Sequence, residues 1–207
     1  MPEKRQRDRL IALAITQPDW LLGFEDELWW SRIASPALHS WADAEQPLRL
    51  VEQVVATTDP DPKALACYGV FFPASAEVWL RFLDGRPVSA VTTVVLDWCA
   101  QQAAARGTRV LALVWDNASW HRSKAVRQWV RAHNRQVTAS GCGVRLLICP
   151  LPVKSPWRNP IEPKWGHTKR RVIEPDRLLP AHELAERVCA ALGCTYHAHI
   201  PVPKQVA

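Results

Sequence analysis

The stretch Val110–Trp115 (VLALVW) is apolar at every position and is followed directly by Asp116. A strand with one solvent-facing side alternates apolar and polar residues, so this unbroken run indicates a strand that is covered on both faces. Strands of this kind form the centre of a parallel sheet between two layers of helices. Ligand sites in open α/β sheets collect at the carboxyl ends of such strands, which makes Asp116 a candidate functional residue.

Weaker patterns on either side of that strand predict the rest of the fold. The predicted strands span residues 20–33, 63–72, 77–83, 110–115 and 144–149, and a further strand is considered at 48–55. The predicted helices span residues 3–16, 91–102, 124–137, 160–172 and 181–192, and a loop is predicted at 139–143. This order predicts a mixed α/β fold, in which an antiparallel three-strand meander is followed by parallel strands and flanking helices.

The composition limits the class of protein. A chain of 207 residues suits one domain, and its net charge of +6 with a pI near 9.2 favours a polyanionic partner such as nucleic acid. Several of the six cysteines lie in apolar runs, which indicates reduced thiols. With no secretory signal and no apolar run long enough to cross a bilayer, we expect a cytoplasmic protein that does not enter membranes.

Asp26 lies in the middle of the first predicted strand. Alternation places it on the same face as Phe24 and Leu28, whereas Glu25 and Glu27 point to the opposite face. A carboxylate among apolar, core-facing positions is costly to bury and needs a partner or a function. The structural alternative is an aspartate that is satisfied by backbone donors, and Glu27 is the nearest rival for a functional role.

Two further carboxylates stand at positions that suggest chemistry. Asp116 ends the buried strand, and Glu162 falls in the first turn of the helix that follows a proline-rich loop. Both have structural alternatives, because Asp-Asn commonly begins a turn and Glu162 completes a capping box with Asn159. Three carboxylates from separate elements can also hold a pair of hard divalent cations about 4 Å apart, which is the arrangement that phosphoryl transfer on DNA requires.

Three motifs carry a resemblance to a known family. The run Asp116-Asn117-Ala118-Ser119-Trp120-His121 resembles the D-N-x-x-x-H signature of bacterial insertion-sequence transposases related to the mariner group, within the DDE superfamily. Residues 152–165 resemble their P-x-x-S-P-x-x-N-P-I-E-x-x-W block, and residues 24–27 resemble their first-strand D-E. The resemblance covers roughly residues 20–175, and the second and third motifs together are specific.

The resemblance implies a fold, a site and cofactors. It implies an RNase H-like fold whose catalytic, metal-binding triad is Asp26, Asp116 and Glu162, with two Mg²⁺ ions for which Mn²⁺ would substitute. It further implies that several residues position or bind the substrate: Asn117, His121, Lys164, Lys169, Arg170 and Arg171. A solvated basic face is the structural alternative for the last four residues. The spacing between Asp116 and Glu162 is longer than usual in the family, and we expect the excess around residues 139–143 and in the preceding helix.

The same resemblance sets expectations for domains and partners. We predict a short basic segment at residues 1–19, a catalytic domain at 20–175, and a C-terminal helix and tail at 176–207. The expected partner is double-stranded DNA, as transposon ends and as target, bound by a homodimer that holds two ends. Family members normally carry helix-turn-helix domains upstream, and little sequence precedes the first strand here, so three alternatives stay open: one piece of a split reading frame, a truncated copy, or a product that relies on a separate helix-turn-helix polypeptide for end recognition.

The predicted function is metal-dependent DNA cleavage and strand transfer at transposon ends. One alternative is a nuclease of the RNase H type, and another is an inactive remnant that acts only as a binding subunit. A zinc site built from Cys189, Cys194, His197 and His199 is not expected, because the spacing matches no common zinc pattern.

Overall fold

A six-stranded mixed sheet in the order β5-β4-β1-β2-β3-β6 forms the centre of the protein. This computed structural model describes residues 2–33, 55–152, 159–172 and 177–202. The strands are β1 (Trp20–Ser31), β2 (Ala64–Phe72), β3 (Glu77–Asp84), β4 (Val110–Trp115), β5 (Arg145–Pro150) and β6 (Ile200–Pro201). β1, β2 and β3 pair antiparallel, whereas β4 runs parallel to β1 and β5 runs parallel to β4. The predicted meander followed by parallel strands is therefore confirmed.

In the described parts of the chain, five helices cover the two faces of the sheet. They are α1 (Pro2–Thr16), α2 (Ser89–Ala104), α3 (Lys124–Ser140), α4 (Glu162–Val172) and α5 (Ala181–Leu192). We call the side that packs against α1, α4 and α5 the front face, and the side that packs against α2 and α3 the back face. The all-apolar strand β4 lies between these layers, and Leu111, Ala112, Leu113 and Val114 are fully buried. Burial on both faces was the prediction for this strand.

Both faces of the antiparallel strands contribute to the core. On β3, Val78, Leu80 and Phe82 pack on the front face, whereas Trp79 and Leu83 pack on the back face. The back-face core is one continuous cluster and joins α2 and α3 to the sheet through residues such as Val95 and Val126. Because the sheet is covered on both sides, the ends of its strands are the natural places for an open site.

Most element bounds agree with the predictions to within two residues, and the differences have local causes. β1 ends at Ser31 rather than at residue 33. The loop predicted at 139–143 begins later, because α3 continues to Ser140 and ends on Gly141, which adopts a left-handed backbone with φ of 66°. Ser123 caps the start of α3 by accepting a hydrogen bond from the Val126 amide. The short parallel strand β6 was not predicted, and most of the strand considered at 48–55 lies outside the described residues.

Two further expectations concern the whole chain. All six cysteines are free thiols, and Cys67, Cys99, Cys149 and Cys189 are buried, as their apolar neighbours predicted. Among the described helices, none combines the length and the apolar character that crossing a membrane would require.

Candidate active site

Asp26 and Asp116 are brought together by the register of two parallel strands. Phe24 of β1 pairs with Val114 of β4, and both residues belong to one front-face cluster with α1. Two residues after Phe24 and two residues after Val114, strand alternation would direct the side chains to this same face. Extension of this register brings Asp26 and Asp116 to the same end of the sheet, beyond the last observed pair of β1 and β4, although they are far apart in the sequence.

The indole of Trp165 in α4 holds Asp26 from above the sheet. Its Nε1 donates a 2.9 Å hydrogen bond to Asp26 Oδ2, and the ring packs edge-on against Trp30 with centroids 5.9 Å apart. The space for the ring is provided by Gly69, which pairs with Asp26 across β1 and β2. A Cβ atom on Gly69 would lie only 2.3 Å from the Trp165 ring. The absence of a side chain at Gly69 therefore permits this contact.

Glu162 is placed by the start of α4. The buried Asn159 donates from Nδ2 to the main-chain oxygen of Glu25 at 2.9 Å, which fixes the chain just ahead of the helix to β1. Helix α4 begins at Glu162, whose side chain is exposed, so the carboxylate lies in the first turn as predicted. The same helix start carries positive partial charge from its unpaired amides, which favours a carboxylate there.

The charges of these carboxylates act on one another. Burial raises the pKa of Asp26 to about 7, and the negative charge of Glu162 adds to the increase, with smaller contributions from Glu27 and Asp116. The hydrogen bond from Trp165 opposes the shift. An aspartate in this position is destabilised as an anion unless a cation compensates it. The charges of Glu162 and Asp116 therefore both act on Asp26.

Asp116 is oriented by its own loop. Its Oδ1 accepts hydrogen bonds from the Ala118 amide at 2.8 Å and from His121 Nδ1 at 2.9 Å. Burial alone would raise the pKa of Asp116, but these bonds and the charge of His121 outweigh it and lower the pKa. Both contacts use Oδ1, and the side chain is 48% exposed, so Oδ2 is free to face a ligand. Asn117 donates to the main-chain oxygen of Leu151 at 2.5 Å and thereby joins the loop to the end of β5.

A cluster of Glu25, Glu27 and His121 lies on the back face directly beneath this site. His121 Nε2 is 2.9 Å from Glu27 Oε1 and 3.3 Å from Glu25 Oε2, and all three side chains are at most 7% exposed. Trp120 Nε1 donates to Glu27 Oε1, and the Trp115 ring stacks on His121 at 4.4 Å. Alternation correctly placed the two glutamates on the opposite face from Asp26, but their burial and their pairing with His121 were missed.

The cluster explains how His121 is held as a cation. Burial alone would lower the pKa of His121, but Glu25, Glu27 and the hydrogen bond to Asp116 raise it to about 11. The ring then carries an N–H on both nitrogens, with Nδ1 facing Asp116 and Nε2 facing the glutamates. Burial, together with the charge of Glu27, raises the pKa of Glu25 well above its usual value. His121 therefore links the front-face aspartate to the back-face glutamates.

Two sets of residues offer ligands for a metal ion. Among the described residues, the set whose ligand atoms all lie within 4.8 Å of one another is Glu25, Glu27 and His121. That set is enclosed by the protein, and His121 in its protonated form has no lone pair for a metal. The described residues Asp26, Asp116 and Glu162 do not meet that distance criterion, but Asp116 and Glu162 are open to solvent and so are accessible to an external phosphate. For that reason the second set fits a metal that acts on a substrate.

The basic residues of α4 extend away from Glu162. Lys164 lies with its Nζ 4.9 Å from the centre of the Phe71 ring, whereas Lys169, Arg170 and Arg171 occupy the last turn of the helix. At 1.5 Å per residue, that turn is about 10 to 14 Å from Glu162 along the helix axis. Their contact with a substrate stays a prediction.

The C-terminal cysteine and histidine residues do not assemble into a metal site. His199 Nδ1 lies 2.8 Å from Asp84 Oδ1, and the His197 ring packs edge-on against Trp98 at 5.3 Å. Among the described residues, Cys189, Cys194, His197 and His199 form no group with metal-binding geometry.

One family model matches part of the chain. Residues 85–184, which include Asp116 and Glu162, match the family described as DDE superfamily endonuclease. The matched segment is just under half of the chain, and it is similar to these endonucleases. This confirms the resemblance that the motifs predicted, whereas the narrower assignment to bacterial insertion sequences stays a prediction. A search of curated proteins gave no match.

Solved structures with the same fold belong to the Mos1 transposase. The paired-end complex of Mos1 with the left transposon end superposes with a TM-score of 0.64 at 14% identity, covering 94% of this chain and 54% of that one. The Mos1 mariner paired-end complex with Mn superposes with a TM-score of 0.61 at 15% identity, covering 94% of this chain and 54% of that one. The Mos1 mariner catalytic domain superposes with a TM-score of 0.57 at 13% identity, covering 94% of this chain and 81% of that one. The chain thus has the RNase H-like fold of transposase catalytic domains and spans about half the length of the Mos1 chains in those complexes.

Proposed function

We propose that this protein is a DNA transposase catalytic domain that cleaves DNA and transfers strands at transposon ends, using divalent cations. The observation that supports the proposal is the β1–β4 register, whose extension brings Asp26 and Asp116 to the same end of the sheet, together with the contribution of the Glu162 charge to the raised pKa of Asp26. The match to DDE endonucleases and the shared fold with Mos1 transposase support the same reaction class.

The donor set fits magnesium or manganese. Asp26, Asp116 and Glu162 offer only carboxylate oxygens, which these hard cations prefer, and three such groups from separate elements can bridge two ions. The mutual repulsion that raises the pKa of Asp26 is the charge imbalance that bound cations would relieve. When bound, the cations would supply activation of the attacking oxygen and stabilisation of the leaving 3′ oxygen. Mos1 complexes are solved with Mg and with Mn, in line with this choice.

The residues of this chain would orient the reacting groups. His121 and the Ala118 amide fix Asp116 through Oδ1 and direct Oδ2 towards a cation, while Trp165 fixes Asp26. Asn117 would position the substrate at the end of β4. A water molecule, and afterwards a DNA 3′ hydroxyl, would be the nucleophile, so no covalent enzyme intermediate is needed.

The DNA partner would be double-stranded, as transposon ends and as target. The basic turn of α4 lies about 10 to 14 Å from Glu162, which corresponds to about three to four phosphates of one strand along the axis of a duplex. Lys169, Arg170 and Arg171 would therefore contact phosphates that flank the cleaved one, and Lys164 would contact a nearer phosphate. We further propose a homodimer that holds two ends, a separate helix-turn-helix polypeptide for end recognition, and action in the cytoplasm.

The test is a calorimetric titration with Mn²⁺ together with nicking of supercoiled plasmid DNA, which requires no knowledge of the end sequence. Wild type is expected to bind Mn²⁺ and to nick the plasmid, and Asp116→Asn and Glu162→Gln are expected to lose both. Loss of a residue that only supports a metal ligand costs 10 to 100-fold, so loss of a direct ligand is expected to reduce nicking by more than about 100-fold. Glu186→Gln on α5 removes an equally exposed carboxylate and is the matched control.

Two outcomes would overturn the proposal. Absence of Mn²⁺ binding by wild type, even with DNA present, would mean that the triad is not a metal site and that the chain is an inactive remnant. Faster cleavage of the RNA strand in an RNA–DNA hybrid than of duplex DNA would assign the protein to nucleases of the RNase H type.

A further inference from the structure

A cleft opens on the back face of the sheet, beside the site but outside the carboxylate triad. It lies between α3 and the carboxyl ends of β4 and β5 and has a volume of about 460 Å³. Its floor is apolar and includes Val130, Ile148 and Pro150. Its rim carries the side chains of Arg122, Arg127 and Arg131. An apolar floor with a cationic rim is a binding surface with two distinct chemical parts.

The rim arginines are not explained by the fold. All three residues are exposed, and none forms an ion pair or a side-chain hydrogen bond with another described residue. Arg127 and Arg131 are four residues apart on one face of α3, where two like charges destabilise a helix by about 0.2 to 0.5 kcal/mol. Stability therefore gives no reason for their positions, which leaves an external anion as the explanation.

Helix α3 as a whole has the composition of a surface that binds polyanions. Its sequence, KAVRQWVRAHNRQVTAS, contains four Lys or Arg residues and no Asp or Glu. A helix that merely needed a solvated face would mix the two signs of charge, because pairs of opposite charge stabilise it. A single sign along one helix concentrates positive potential and attracts nucleic acid.

We propose that this cleft binds one strand of DNA, with backbone phosphates at Arg122, Arg127 and Arg131 and a sugar and base against the apolar floor. The proposal rests on the proposed function and specifies a second DNA-binding surface for it. A free anion such as phosphate would use the arginines but would gain nothing from the floor. A single strand uses both parts, since such sites combine a basic groove with apolar or aromatic contacts to the bases.

The position of the cleft supports this occupant. Asn117 and His121 border the cleft, and they belong to the loop that orients Asp116. The basic turn of α4 lies on the front face, whereas the cleft lies on the back face. A strand in the cleft would therefore pass the carboxyl end of β4 without occupying the path that α4 offers.

The test compares the salt dependence of binding for two matched pairs of substitutions. Binding of a short single-stranded oligonucleotide is measured by fluorescence anisotropy over a range of salt concentrations. The double variant Arg127→Gln with Arg131→Gln, called the cleft pair, removes two charges from the cleft. The double variant Arg135→Gln with Arg145→Gln, called the control pair, removes two exposed charges that do not line the cleft. Glutamine preserves helix propensity, and thermal unfolding checks that both proteins remain folded.

Each phosphate contact with a single strand contributes about 0.7 to the slope of log K against log salt. The cleft pair is expected to reduce the slope by about 1.4, and the control pair by less than half of that. An unchanged slope in the cleft pair, or equal reductions in both pairs, would overturn the proposal. Absence of salt-dependent binding by wild type would overturn it as well.

Plasmid nicking with Mn²⁺ separates the two proposals. A reduced slope in the cleft pair without any nicking by wild type would support the cleft and count against the transposase reaction. Nicking by wild type with an unchanged slope in the cleft pair would support the transposase reaction and count against DNA binding in the cleft.

Discussion

The substitution Gly69→Ala tests whether the close contact between β2 and Trp165 supports the site. The added Cβ would lie 2.3 Å and 2.6 Å from two carbon atoms of the Trp165 ring and 3.2 Å from Ile161 Cδ1. Carbon atoms in contact normally lie about 3.5 to 4.0 Å apart, so the ring would have to move by more than about 1 Å. Trp165 is 2% exposed and packs against Trp30, so no free space receives it.

The expected cost follows from this overlap. Forcing extra atoms into a packed core costs about 1 to 3 kcal/mol, and a domain of this size loses about 2 to 4 °C in Tm per kcal/mol. We therefore expect Gly69→Ala to lower Tm by roughly 2 to 12 °C. Displacement of the indole also removes the hydrogen bond to Asp26, so Mn²⁺-dependent nicking should fall in the same variant.

The assay is thermal unfolding by circular dichroism, with Gly166→Ala as the control. Gly166 lies in α4, one residue from Trp165, and a Cβ there meets no atom within 4 Å. Alanine is favoured over glycine in a helix by about 1 kcal/mol, so the control should raise Tm slightly. A Gly69→Ala protein with the Tm of wild type would refute the reasoning.

A double substitution identifies the cause of any loss. Trp165→Phe removes the ring atoms that the new Cβ would meet, at the cost of the hydrogen bond to Asp26. On that background Gly69→Ala should cost less than it does in wild type. An equal cost on both backgrounds would show that the contact with Trp165 is not responsible.

Three further predictions concern other parts of the molecule. Asn159→Ala removes the hydrogen bond that Asn159 donates to the buried main-chain oxygen of Glu25, which costs about 1 to 3 kcal/mol of stability. The variant should therefore have a lower Tm and bind Mn²⁺ more weakly. If both values are unchanged, Asn159 does not anchor the start of α4. Mn²⁺ at about 100 times its Kd should stabilise wild type by about 2.7 kcal/mol, or roughly 5 to 11 °C in Tm, and should leave the Tm of Asp116→Asn unchanged. A thiol-reactive disulfide should modify the exposed Cys142 first, so Cys142→Ser should remove the fast phase of the reaction, and its persistence would show that another cysteine is accessible.

The sequence predicted the elements that depend on local patterns. The unbroken apolar run of β4 predicted a strand buried on both faces, because the pattern reflects the burial of its own residues. The triad residues were singled out by the same logic, through a carboxylate among apolar positions, one at the end of a strand and one at the start of a helix. Their assembly as a metal site remains a proposal.

The pairing of Glu25 and Glu27 with His121 could not be predicted from local pattern. Two glutamates on one face of a strand normally indicate a face exposed to solvent. Here Glu25 and Glu27 are buried, because His121, far along the chain, supplies the opposite charge. The role of Gly69 was missed for the same reason, since its partner Trp165 lies on a distant helix. Contacts of this kind depend on the register of β1, β2 and β4, which periodicity does not determine.

One imidazole connects the two proposed ligand sites. The His121 ring borders the cleft on the back face and holds Asp116 through Nδ1. A strand that shifts this ring alters the carboxylate that would bind the cation, and a bound cation alters the ring in return. Thermodynamic reciprocity then requires each ligand to change the affinity for the other by the same factor. DNA binding in the cleft and cation binding at the triad would then be thermodynamically coupled through one buried side chain.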